Sequence, residues 1–100
     1  MEARIVAIET LRSALMTDGF TVWNIRENTP AYQNGLRLGV TLLSGPWTEI
    51  TQKMKDETHQ RAVSVKNVHE RIAGEHGLTA SGYQEVVTGP AVVLCIGFRN

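Results

Sequence analysis

Apolar positions recur at helical spacing over residues 47–73, where Trp47, Ile50, Met54, Thr58, Ala62, Val65, Val68 and Ile72 stand three or four apart. The mean step is about 3.6, the turn of an α-helix, so one helix would carry the whole stripe on one face. Its middle is polar, reading Lys55-Asp56-Glu57-Thr58-His59-Gln60-Arg61. A single helix over 47–76 would run about 45 Å, at about 1.5 Å per residue. That is long for a body whose expected radius of gyration is about 13 Å. The reading adopted is a helix broken within 55–61. A whole helix projecting into a partner is the alternative, and strand at 47–51 or 62–65 is a third possibility. Gly74 and Gly77 mark the end of the element.

The same periodicity opens the chain. Ile5, Ile8, Leu11 and Leu15, widened by Val6 and Ala14, predict a helix over 2–17 that stops at Asp18-Gly19. Residues 20–25 are aromatic and β-branched and predict a strand. Pro30 and the pair Asn34-Gly35 predict a loop over 28–35. Residues 36–43 alternate, with Leu36, Leu38, Val40 and Leu42 on one face and Arg37, Gly39, Thr41 and Leu43 on the other. Ser44-Gly45-Pro46 breaks the chain, and Pro46 suits the first turn of the next helix. Residues 82–98 predict a hairpin turning at Thr88-Gly89-Pro90. The apolar run 91–98 would be a central strand covered on both faces.

The order is helix, strand, strand, helix (broken), strand, strand. This predicts a single α+β domain over 1–100: a mostly antiparallel sheet of about four strands, with two or three helices on one face. The outline of a leading helix, strands at 20–25 and 36–43, a helix and a hairpin at 83–98 is similar to that of small bacteriophage tail-completion proteins. The resemblance lies in element order and is carried by no residue motif.

Composition narrows the function classes. Ten basic and ten acidic residues give a formal charge of zero, which disfavours a broad nucleic-acid or anionic-lipid footprint and favours self-association. One cysteine, Cys95, precludes an internal disulfide. No stretch reads as a signal peptide or a membrane span. The expected compartment is the cytoplasm.

Candidate chemistry is scattered. His69 and His76 share a helix face but stand about 10 Å apart by rise per residue, too far for one metal. His69-Glu70 begins like a zinc-protease motif, yet the second histidine it requires is replaced by Ala73. The histidines read as solvated or capping groups near a helix end. Cys95, between Leu94 and Ile96, reads as a small buried hydrophobe. The pairs Asp56-Glu57 and Glu70 with Glu75 read as solvated helix faces. Residues 72–83 resemble the centre of a helix-turn-helix, with Ala73, Gly77 and Leu78 at its small, turn and buried positions. Against that stand His76, Gly82 and the absence of basic residues between Arg71 and Arg99.

No catalytic residue, cofactor or metal ligand is assigned. The favoured function is a non-enzymatic protein–protein assembly module that associates with itself or another protein through an apolar sheet or helix face. Trp23, Tyr32, Trp47, Ile50 and Met54 are its candidate contact residues. The alternatives are a small-molecule pocket between sheet and helices, and a DNA-binding regulator using residues 67–87.

Overall fold

The computed structural model describes residues 2–88 and 91–100, with the backbone alone given for residues 83–86 and 88. Helices α1 (Ala3–Thr17), α2 (Pro30–Gln33) and α3 (Gln52–Glu75) alternate with strands β1 (Val22–Asn24), β2 (Leu36–Ser44), β3 (Thr79–Thr88) and β4 (Ala91–Arg99). The strands form one antiparallel sheet in the order β1-β2-β4-β3. This is the expected α+β fold, with 91–98 in an interior strand. The expected turn at Gly89-Pro90 lies outside the described residues.

Both long helices end for the same reason. Gly19 (φ +92°) and Gly77 (φ +66°) take the left-handed conformation that L side chains avoid. The chain then turns back, so Phe20 N–H reaches the Leu15 carbonyl at 3.0 Å and Leu78 N–H reaches the Ala73 carbonyl at 2.9 Å. Each bond carries an apolar residue back onto the core, Phe20 from one helix and Leu78 from the other.

The core lies between the helices and one face of the sheet. Ala7, Leu11 and Leu15 of α1 and Val65, Ile72 and Ala73 of α3 pack on Leu38, Val40, Leu94 and Ile96. Burying each of the larger side chains contributes about 1.5–3 kcal/mol relative to exposure. The buried stripe of α1 is rotated from the expected one. Ala7 is buried, whereas Ile5 and Val6 are exposed.

Helix α3 is continuous, which corrects the broken helix expected from its polar middle. The molecule measures 45 × 28 × 18 Å, so a helix of about 36 Å lies along its long axis without projecting. The polar segment also has work in the packing. Thr58 is buried and its hydroxyl donates to the Met54 carbonyl at 2.8 Å. Arg61 donates to the Leu42 carbonyl at 2.8 Å, tying the helix to β2. The helix begins at residue 52, where the Thr51 hydroxyl accepts from Met54 N–H. Pro46 therefore lies in the preceding connection, after a cis peptide bond with Gly45, rather than in the first helical turn. The expected loop at 28–35 instead contains α2, started by Thr29 and Pro30. Residues 79–88 form a strand, so the recognition helix of a helix-turn-helix is not formed.

Register shifts in β2 correct the simple alternation. Between Thr41 and Leu43 the partners step only from Val93 to Val92, and between Leu36 and Leu38 only from Gly97 to Ile96. Each shift adds a residue and reverses the facing beyond it. Leu42 and Leu43 thus both join the core. Leu36 is buried outside that cluster, and its Cδ2 approaches Gly82 of β3. Its chain passes directly over Gly97, where an added Cβ would stand 2.2 Å from the Gly35 carbonyl oxygen. Gly97→Ala should therefore cost more than about 2 kcal/mol in urea denaturation, since backbone must move. Gly74→Ala, with no atom from outside its own helix turn within 4 Å of the new Cβ, should gain about 0.5 kcal/mol. Equal effects from the two would contradict the crossing at Gly97.

Candidate functional site

The two long helices, α1 and α3, cover one face of the sheet. On the other, register places Trp23 beside Gly39, Gly39 beside Cys95, and Thr41 beside Val93. The Trp23 ring lies across Gly39, whose added Cβ would meet the indole at 2.5 Å. Glycine at 39 is thus the floor on which the indole rests. Trp23 is still 40% exposed. Val93 and Cys95 floor an adjacent groove of about 500 Å³, walled by Trp23, Ile25, Thr29 and Ala31. The wall stands because β1 is only three residues long. The chain then leaves the sheet edge, held by Ile25 N–H donating to the Arg37 carbonyl at 2.9 Å. Arg26 and Asn24 add polar groups to the lining.

The five expected contact residues fall in separate places. Trp23 stands on the uncovered face. Tyr32, on α2, lies under the Arg37 guanidinium, 3.6 Å from its ring centre. Trp47 and Met54 are partly buried against the main core. Ile50 is exposed and lines a cleft of about 280 Å³ with Val87, Lys55 and His59. The structure therefore gathers the groove around Trp23 and does not bring the other four to it. Val93 and Cys95 complete the groove. Their alternation with Val92, Leu94 and Ile96 was the available signal, masked by a run apolar on both faces.

The ionisable groups have distinct settings. Cys95 is half-buried in the groove, and burial pushes its thiol pKa up, so it is held as the weakly nucleophilic thiol. His76 caps α3, with Nδ1 2.9 Å from the Ile72 carbonyl. His69 departs from the expected solvated role. It is fully buried on α3, and its Nε2–H donates to the Gly97 carbonyl at 2.6 Å. It also meets Phe98 edge-on at 4.9 Å. Burial lowers its pKa, outweighing the opposite pull of the Gly97 carbonyl and of Glu70. Among the described residues, no group of three or more His, Cys, Asp or Glu side chains is placed to hold a metal ion. No helix among them is long and apolar enough to cross a membrane.

No family model, no curated protein and no solved structure matches the chain. The likeness in element order to small bacteriophage tail-completion proteins gains no support from these comparisons.

The neutral, buried His69 has a consequence for stability. Above about pH 6.5 the imidazole is uncharged in folded and unfolded chains alike. As pH falls below that value the unfolded chain takes up the proton first, and stability is lost at up to about 1.4 kcal/mol per pH unit. Urea melts should show lower stability at pH 5.5 than at pH 7.0, by no more than about 1 kcal/mol. His69→Gln should remove most of that difference, whatever its effect on stability at pH 7. An unchanged difference in the variant would show that His69 is not its source.

Proposed function

We propose that the protein is a non-enzymatic assembly module that associates with a second copy of itself through the uncovered face of its sheet. The observation carrying this reading is Trp23, an indole braced on Gly39, exposed beside the groove floored by Val93 and Cys95. Rigid aromatic groups set beside apolar recesses are the usual anchors of protein interfaces.

A second copy fits this surface for reasons of charge and area. The formal charge is zero, so two copies meet without net repulsion. Arg26 lines the groove and the neighbouring Glu27 is exposed. A two-fold contact would set each beside its opposite on the other copy. Three strands about 30 Å long and the short β1 of about 10 Å, spaced about 4.8 Å apart, give a face of roughly 480 Å² per copy. Two such faces approach the roughly 1,000 Å² at which specific interfaces begin.

Sedimentation velocity over a hundredfold concentration range should show a monomer giving way to a larger species. Trp23→Glu should weaken that association at least tenfold. Val63→Glu, which changes an exposed residue of α3, should leave it intact. A monomer throughout, or a Trp23→Glu variant that associates like the parent, would overturn the reading.

A further inference from the structure

A second recess lies on the opposite side of β2, between α1 and α2. It holds about 360 Å³, and Ile5, Ile8 and Phe98 contribute apolar walls while Tyr32 and Arg37 close it. The bulge in β2 is what turns Arg37 to the helix side together with Leu38.

Arg37 is held firmly. Its guanidinium stacks on Tyr32 at 3.6 Å. Its Nη1 donates to the Tyr32 carbonyl at 2.8 Å and to the Leu36 carbonyl at 3.0 Å. These bonds use both Nη1 hydrogens. They leave the Nε and Nη2 edge, the two-pronged fork that matches a carboxylate.

The charges lining the recess balance, with Glu2 and Glu9 against Arg4 and Arg37, and the free edge of Arg37 is the cationic group left open to a ligand. Each of the two glutamates already has a cation. Glu2 pairs with Arg4, and Glu9 with Arg12 at 3.3 Å. Arg37 has no carboxylate partner among the described residues. The Tyr32 ring and two carbonyls hold the guanidinium in place, which leaves its Nε and Nη2 edge for a carboxylate from outside the chain.

We infer that this recess binds a small organic carboxylate with an apolar body. The carboxylate meets the free edge of Arg37, and the body lies against Ile5, Ile8 and Phe98. The site does not involve the Trp23 groove and stands or falls independently of the self-association above.

The test is a ¹H–¹⁵N NMR titration of the intact chain with hexanoate, using hexanol and hexylamine as controls. Hexanoate should shift amides of residues 5–9 and 32–38 and saturate, while hexanol and hexylamine bind at least tenfold more weakly. Arg37→Gln should weaken hexanoate at least tenfold, and Arg71→Gln, on an exposed pair with Glu75, should not. Ile5→Glu changes a residue that is 52% exposed, so it serves where Arg37→Gln disturbs folding. It should abolish binding by placing a carboxylate on the wall. Equal binding of hexanol, shifts mapping elsewhere, or parent-like affinity in Ile5→Glu would overturn the assignment.

Discussion

Two extra residues in β2 divide the apolar side chains of this chain between the faces of its sheet. In an unbroken strand Leu36, Leu38, Val40 and Leu42 would share one face. The shifts at 36–38 and 41–43 instead give Leu42 and Leu43 together to the helix side and put Leu36 on the other. The first shift also sends Arg37 toward α1. The second presents the Leu42 carbonyl to Arg61 of α3. Strand register therefore governs the anchoring of the long helix as well as the character of both sheet faces.

Once the leucines are so divided, the glycines acquire definite tasks. Gly97 lets the Gly35–Leu36 backbone cross closely, and Gly39 lets the Trp23 indole lie flat on the sheet. A Cβ at either position would occupy space already filled. The helix layer then locks onto the same strands, through the apolar cluster and through His69, whose bond to Gly97 joins α3 to β4 at that crossing. The apolar material left over is the Trp23 groove, which the two long helices do not cover. Self-association is the proposed fate of that surface.

Much of the architecture was legible in residue order. Asp18-Gly19 and Gly77 announced helix ends because only glycine accepts the backbone conformation those ends require. The run 91–98 announced an interior strand because it is apolar on both sides. The continuity of α3 was not legible. Its polar middle looks like a break when side chains are sorted by polarity alone, yet Thr58 satisfies itself on its own helix and Arg61 reaches across to β2. The bulges were equally hidden, because a register shift depends on the partner strand. For the same reason a helix-period reading placed Ile5 in the core where the fold buries Ala7. Of the groove, Trp23 stood out as an aromatic anchor. Its companions Val93 and Cys95 were lost within a uniformly apolar strand.

The account rests on the Trp23 groove, on the sheet face opposite the two long helices, being a surface that a second copy covers. Hydrogen–deuterium exchange, followed peptide by peptide at low and at high protein concentration, examines that surface directly. Exchange in residues 22–31 should slow as concentration rises, while α1 and the second half of α3 keep the same rates. Identical exchange across 22–31 at every concentration would contradict the account.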